Sequence, residues 1–191
     1  MLPGNYTVRL SNGKESVTQT VSVLTDPRVG INKRNLEKLQ PIYQRQMEIT
    51  TSVTMAMDQI REAKATIQSI NKMLNPKGNK SHKELISRGK AISDSLKLLE
   101  ELIVNKKGLQ GIVRSPNILS SKVGAIGRYL YSNLSGPNDS HKYLLDYAEA
   151  ETEKVLNQVN MFFKKDWDEY QSEVEDADLS FFKSYKPIKI N

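Results

Sequence analysis

The chain contains no cysteine. This absence excludes disulfide bonds, thiolate zinc sites and cysteine nucleophiles together, although it does not decide the cellular compartment. Histidine is scarce as well, since His82 and His141 are the only two in 191 residues. A zinc site would need both rings plus carboxylates, and the chain has no His-Glu-x-x-His pattern. We therefore expect no metal site and no cofactor.

Long apolar runs and common catalytic motifs are missing too. No apolar stretch approaches the roughly 18–20 residues that a membrane-spanning helix needs. The N-terminus lacks a basic segment followed by an apolar one, which is the pattern of a signal peptide. There is no Gly-Lys-Ser/Thr phosphate loop and no Gly-x-Ser-x-Gly nucleophile elbow. The sequence therefore predicts neither a membrane span nor an enzyme, and it identifies no catalytic, cofactor-binding or metal-ligating residue.

What is present is the composition of a folded, helix-rich protein. Hydrophobic residues make up 38% of the chain and charged residues 26%, which argues against wholesale disorder. At this length the chain can bury a sizeable core as one domain, or as one domain plus a fragment of another.

The first 26 residues show the alternation of a β-hairpin. Tyr6, Val8 and Leu10 alternate with polar residues, and Asn12-Gly13 then leads into a second alternating run. Asn-Gly tolerates the positive φ values of a type I′ turn. A two-stranded hairpin is marginal alone in water. The hairpin is therefore either the end of a β-sandwich that belongs to a larger protein or a small sheet docked on the helices. In both cases one side is expected to be buried, with Tyr6, Val8, Leu10, Val21 and Val23 on it.

Residues 27–32 form a predicted linker, and residues 33–191 a predicted helical bundle. Up to Leu74, apolar residues recur every seven positions, with Gln46 as the polar exception. The members of this row are Leu39, Val53, Ile60, Ile67 and Leu74. Pro41 lies inside the pattern, so the helix either kinks there or begins near Gln40-Pro41.

Three further helices are predicted after the break at residues 75–79. Ser81 and Glu84 form a capping-box pattern that opens the second helix. Its core face carries Leu85, Ile92, Leu96, Leu99 and Ile103, with Gly89 in the same row. A shorter helix spans 118–134, and a last one runs from about 140 to 175 with Phe162, Phe163, Trp167 and Tyr170 toward the core. The apolar tail at 179–190 is expected to pack. The predicted fold is mainly α, an antiparallel three- to four-helix bundle with an N-terminal β-hairpin.

The net charge of +6 hides an asymmetry. Residues 1–128 hold 21 Lys/Arg and 10 Asp/Glu, a net of +11, whereas residues 129–191 hold 7 and 12, a net of −5. A basic surface for nucleic acid or anionic lipid is one interpretation. We favour the structural one, in which an acidic last helix lies against basic earlier helices or both faces are solvated.

Two groups of polar residues are candidates for a catalytic or metal site. Asp166, Asp168, Glu169 and Glu173 cluster beside Trp167 and Tyr170, and paired carboxylates next to aromatic rings are typical of glycosidases. The spacing, however, places positions 166, 169 and 173 on one helix face, which favours a solvated acidic face. His141 lies near Asp139 and Asp146, and we expect it to be a surface residue.

The order of these parts resembles the C-terminal region of bacterial BNR-repeat, glycosyl-hydrolase-like or sortilin-like propeller proteins of Bacteroidetes type. The similarity is carried by Pro3–Leu10, by Asp26-Pro27-Arg28-Val29, by Pro116–Leu119, by Gly136-Pro137 and by the aromatic residues at 167–170. It implies that residues 1–26 end a truncated immunoglobulin-like sandwich and that the parent protein is exported to the periplasm or outside the cell. The glycosyl-hydrolase label is not carried over, because function belongs to sites.

These observations predict a non-catalytic accessory, structural or protein-interaction module at the C-terminus of a larger protein. Its expected partners are the upstream domains of that protein or another protein. The alternative is a basic helical module that binds nucleic acid or an anionic surface, since Lys77, Lys80, Lys83, Arg88 and Lys90 gather around one inter-helix turn. Nucleic acid is the less expected partner, because the chain shows no recognised binding motif.

Overall fold

The chain folds mainly into helices, as predicted. A computed structural model describes residues 2–28, 30, 32–74, 82–105, 117–132 and 135–177. Within these residues the chain has four helices, the last of which continues through a π turn from α4 into α5, and an N-terminal two-stranded antiparallel hairpin. The elements are β1 (Gly4–Asn12), β2 (Glu15–Val23), α1 (Lys33–Leu74), α2 (Lys83–Ile103), α3 (Leu119–Ser132), α4 (Asp139–Phe162), a π turn (Phe163–Trp167) and α5 (Asp168–Asp176).

The chain divides into two compact units. The first joins Met1–Thr50 to Val123–Glu149, and the second joins Thr51–Lys122 to Ala150–Asn191. Helices α1, α3 and α4 each contribute residues to both units, because each of them crosses a boundary between the two.

The first unit contains the hairpin, the start of α1, most of α3 and the start of α4. The buried Gln46 amide in α1 donates a hydrogen bond to the Val123 carbonyl oxygen in α3, 3.1 Å away. Tyr43 stacks on Tyr131 with ring centroids 4.9 Å apart. From the first contact to the second, the residue number decreases in α1 and increases in α3, so the two helices are antiparallel. Gln46 breaks the apolar row because it binds the backbone of a neighbouring helix.

The second unit contains the antiparallel pair α1 and α2. Lys64 forms an ion pair with Glu100, and Asn71 lies beside Gly89. The predicted apolar rows line this core and that of the first unit. Their buried members are Leu39, Val53, Ile60, Ile67, Leu74, Ile92, Leu96 and Ile103, none of them more than 8% exposed. Leu85 and Leu99 are half-buried.

Helix α1 is continuous through Pro41. It begins at Lys33, so the alternative start near Gln40 is wrong. Proline has no N–H, and one backbone hydrogen bond is lost inside the helix at this point. The 42 residues of α1 give a length of roughly 63 Å at about 1.5 Å per residue. The packing of its apolar row outweighs that single lost bond.

The start of α2 differs from the capping-box prediction. The N-cap residue is His82, and its side chain makes no capping hydrogen bond. Ser81 lies outside the described residues. The same holds for the predicted break at 75–79, for Leu134 at the end of the helix predicted over 118–134 and for the apolar tail at 179–190.

The single last helix predicted over 140–175 is interrupted by the π turn. A π turn contains about one residue more than an α turn. That extra residue brings Phe162 and Tyr170, eight positions apart, onto the same side of the helix, and both are buried at 7% and 1% exposure. Without it, Glu169 would come closer to the core side than Tyr170. The π turn thus keeps the aromatic row continuous through Phe163 and Trp167.

Candidate functional site

The hairpin is tight and regular. Its strands pair without a bulge, from Gly4 opposite Val23 to Asn12 opposite Glu15. Gly13 and Lys14 form the two-residue turn, and Gly13 has a φ of +61°. The predicted turn pair Asn12-Gly13 is therefore wrong by one position, since Asn12 closes β1. Gly13 takes the first central position, where a turn compatible with the strand twist needs positive φ.

Opposite residues of an antiparallel pair share one face of the sheet. We call the side formed by Tyr6, Val8, Leu10, Val17, Val21 and Val23 the hairpin's apolar face. The other side is polar, with pairs such as Thr7 opposite Thr20 and Arg9 opposite Thr18. The apolar face also carries Gln19 near its centre and the pair Asn12 and Glu15 beside the turn.

The hairpin's apolar face is exposed. Leu10 is 70% exposed, Val17 67%, Val8 53% and Val21 44%, while Tyr6 and Val23 are half-buried. The predicted buried side is therefore wrong at Val8, Leu10 and Val21, and so is docking of this face on the described helices. The apolar rows of the helices are already buried within the helical part of the chain. A contiguous apolar patch of this kind is a feature of interaction sites.

His141 is buried, with 0% exposure, so its prediction as a surface residue is wrong. The backbone N–H of Asn138 donates to His141 Nδ1 at 3.1 Å, and the His141 N–H donates to Asn138 Oδ1 at 3.0 Å. This reciprocal arrangement closes the start of α4 as a capping box does. The ring also packs against Tyr129, with centroids 5.8 Å apart. His141 therefore stabilises the start of α4.

Two of the four carboxylates considered for glycosidase chemistry form ion pairs with an arginine. Arg88 in α2 lies 3.2 Å from Glu169 Oε2 and 3.4 Å from Glu173 Oε1. Both glutamates are about half exposed, so the solvated-face interpretation misses the ion pairs that they form. The two glutamates therefore link α5 to α2. Among the described residues, no three His, Asp or Glu side chains gather into a possible metal site.

An open cleft of about 750 Å³ lies beside this arginine. Its lining includes His82, Lys83, Glu84, Arg88 and Glu173. Charges of both signs alternate along it, and Arg88 is already engaged by glutamates. The described residues of its lining therefore do not form a convergent set of groups of one charge.

Ion pairs join basic residues of the earlier helices to acidic residues of α4. In the first unit, Arg45 of α1 pairs with Asp146 and Glu149 of α4, and the hydrogen bond with Glu149 is the main cause that raises the pKa of Arg45. In the second unit, Lys122 of α3 pairs with Glu151 of α4. The structure thus supports the interpretation in which acidic late helices lie against basic earlier ones.

Glu151 gives this arrangement a measurable pH dependence. Hydrogen bonds from Lys122 and Lys154 lower the pKa of Glu151 from 4.5 to about 2. The group's folded pKa is below its unfolded one, so its contribution to stability is present above about pH 4.5 and is lost as the pH falls toward 2. We expect Glu151→Gln to lower the melting temperature at pH 7 and to match the wild-type chain near pH 2. Thermal unfolding across this range measures the difference.

The matched control is Glu153→Gln, which removes an exposed glutamate two residues further along α4. It is expected to change the melting temperature little at any pH, as surface substitutions usually do. A Glu151→Gln effect of the same size at pH 7 and pH 2 contradicts the assignment to the two lysines.

No helix in the described part of the chain is long and apolar enough to span a membrane. Comparison of the chain with family models, curated proteins and solved structures finds no match in any of the three. Among the described residues, the hairpin's apolar face is the most distinctive exposed feature.

Proposed function

We propose that this chain is a non-catalytic accessory or structural module that binds other polypeptide through the hairpin's apolar face. In this proposal it lies at the C-terminus of a larger, exported propeller protein, and the hairpin completes an immunoglobulin-like sandwich. The observation that carries the proposal is the exposure of Val8, Leu10, Val17 and Val21 on one side of a regular hairpin.

The energetics of a hairpin support a covered state. Two strands are marginally stable in water unless further strands or a helix cover their apolar side. Burying a side chain such as Leu10 or Val17 contributes about 1.5–3 kcal/mol relative to leaving it exposed. Several such residues on one face therefore favour an occupant strongly, and a sheet with its own apolar face fits the flat, alternating surface.

The alternative, a basic module for nucleic acid or an anionic surface, has less support. Arg45, Arg88 and Lys122 all have carboxylate partners within their own units. Pairing of this kind lowers the local positive potential that an anionic polymer would need.

The first test is the native gene upstream of Met1. A reading frame that encodes propeller blades and most of a β-sandwich supports the proposal, and a true start codon at Met1 overturns its parent-protein part. The upstream sandwich, expressed alone, should then bind the chain in a calorimetric titration. Val8→Lys should weaken binding at least tenfold, because the lysine ammonium would be buried in an apolar interface.

Thr7→Lys is the matched control for this titration, since it changes the neighbouring residue on the polar face. Equal binding by wild type and Val8→Lys overturns the role of the apolar face. Salt-dependent binding to DNA or heparin, weakened by Lys83→Gln, favours the alternative. A hydrolytic activity of the chain that is lost in Asp166→Asn or Glu169→Gln overturns the non-catalytic proposal.

A further inference from the structure

The outer edge of β2 offers unpaired backbone groups. Antiparallel pairs alternate between hydrogen-bonded and non-hydrogen-bonded ones, and the pair that flanks the two-residue turn, Asn12 with Glu15, is of the first kind. Odd-numbered residues of β2 therefore bond to β1, and even-numbered ones direct their N–H and C=O outward. The outward set is Ser16, Thr18, Thr20 and Ser22. Among the described residues, β2 has no strand partner except β1.

This edge lacks the usual devices that prevent strand addition. Natural edge strands are commonly protected by inward-pointing charges, by proline or by a bulge. Between Ser16 and Val23 the strand has no charged residue and no proline, and its register with β1 is continuous. The strand is also rich in valine and threonine, which favour extended structure.

The sequence of β2 is symmetric about its centre. From Ser16 to Ser22 it reads Ser-Val-Thr-Gln-Thr-Val-Ser, which is the same in both directions, with Gln19 in the middle. Gln19 is also the midpoint of the whole strand Glu15–Val23. If two such strands met antiparallel about a twofold axis at Gln19, they would overlap over their full length. Val17 would face Val21 of the second copy, and Thr18 would face its Thr20.

We propose that β2 pairs with β2 of a second copy of this chain, antiparallel about Gln19, to form a four-stranded sheet. The register agrees with the backbone directions, because Thr18 and its counterpart Thr20 both direct their N–H and C=O to this edge. Threonine pairs across strands are favourable, and like charges across them are not. The twofold axis brings no charged residue opposite another, since Glu15 faces Val23. This interface uses the strand edge and thus goes beyond the proposed function, which uses the apolar face.

The size of the contact predicts a reversible dimer. Nine paired residues extend over about 30 Å, and a sheet edge about 10 Å thick gives roughly 300 Å² per chain. A standard stable interface buries about 800 Å² per partner. We therefore expect a concentration-dependent dimer with a Kd between about 1 µM and 1 mM.

Sedimentation of the full chain tests the edge. Thr20→Pro removes an outward N–H of β2 that the hairpin itself does not use, and it should weaken dimerisation at least tenfold. Thr7→Pro is the matched control, because Thr7 lies directly opposite Thr20 and directs its N–H to the other edge. It should dimerise like the wild type. A wild-type chain that stays monomeric up to about 1 mM, or equal loss in both variants, overturns the proposal.

The absence of native cysteine allows a register test. Across the twofold axis the two Gln19 residues form a non-hydrogen-bonded pair with Cα atoms about 4.5 Å apart, which suits a disulfide. Gln19→Cys should therefore form a linked dimer under mild oxidation. In Val8→Cys, opposite Gln19 in the same hairpin, the two sulfur-bearing residues would lie three strand spacings apart, about 14 Å. Linkage of both variants at equal rates, or of neither, overturns the proposed register.

Different variants test binding through the apolar face and pairing of β2, so either proposal can be wrong without the other. Thr20→Pro should weaken the dimer at least tenfold and leave binding to the upstream sandwich unchanged, whereas Val8→Lys should weaken that binding at least tenfold and leave the dimer unchanged. A dimer that Val8→Lys abolishes and Thr20→Pro does not would place the contact on the apolar face and overturn edge pairing.

Discussion

Replacing Leu96 by alanine is expected to lower the free energy of unfolding by about 2–5 kcal/mol. Leu96 is 0% exposed, in the middle of α2, so the substitution removes buried methyl groups and leaves a cavity that its neighbours fill only in part. Helix propensity opposes this loss weakly, because alanine and leucine are both good helix formers. Urea-induced unfolding, followed by circular dichroism, measures the change.

Leu98→Ala is the control for this prediction. Leu98 belongs to the same helix and is 66% exposed, so the same chemical change should alter stability by no more than about 0.5 kcal/mol. Equal losses in the two variants would contradict the assignment of α2's buried face.

The burial of Leu96 is a feature that the sequence predicts well. Its row in α2 and the sevenfold row in α1 follow the helical period, and that period alone decides which side of each helix can be apolar. The boundary set by Gly136 and Pro137 was also predicted closely, because α4 begins at Asp139 and the last helix was predicted to begin at about 140. Local pattern is sufficient for these features because each depends on residues close in sequence.

Polar contacts between helices could not be predicted in this way. Gln46 looked like a defect in an apolar row, and its partner, the Val123 carbonyl oxygen, is 77 residues away. Arg88 looked like part of a basic cluster, and it binds two glutamates of α5. In both cases the partner is known only after the helices are packed.

His141 and the hairpin show two other reasons for failure. The reciprocal bonds between Asn138 and His141 are local, but histidine in place of the usual Glu or Gln conceals the capping box. In the hairpin, the alternation predicted the faces correctly, while exposure of Val8 and Leu10 depends on what covers them. Alternation identifies an apolar face and does not identify its occupant.

Gly89→Ala is expected to destabilise the chain, although replacing glycine by alanine inside a helix usually increases stability. Alanine is preferred over glycine in a helix interior by about 1 kcal/mol. At Gly89, however, a Cβ would lie 2.9 Å from the Tyr170 hydroxyl oxygen and 3.3 Å from Asn71 Oδ1. Tyr170 is only 1% exposed, so a shift of its ring would disturb the packing around it. Overpacking of this kind costs about 1–3 kcal/mol, and after the helix preference is subtracted we expect a net loss of up to about 2 kcal/mol in urea unfolding.

Tyr170→Phe separates the clash from other causes. The Tyr170 hydroxyl has no hydrogen-bond partner among the described residues, and burial raises its pKa. Its removal alone should therefore change stability by less than about 0.5 kcal/mol. In the double variant the clash is gone and the helix preference remains, so the two substitutions should couple by about 1–3 kcal/mol, which is the cost of the clash. Gly124→Ala in α3, where the nearest atom is 3.7 Å away, should stabilise the chain by up to about 1 kcal/mol. Additive effects of Gly89→Ala and Tyr170→Phe would show that Tyr170 does not set the close approach at Gly89.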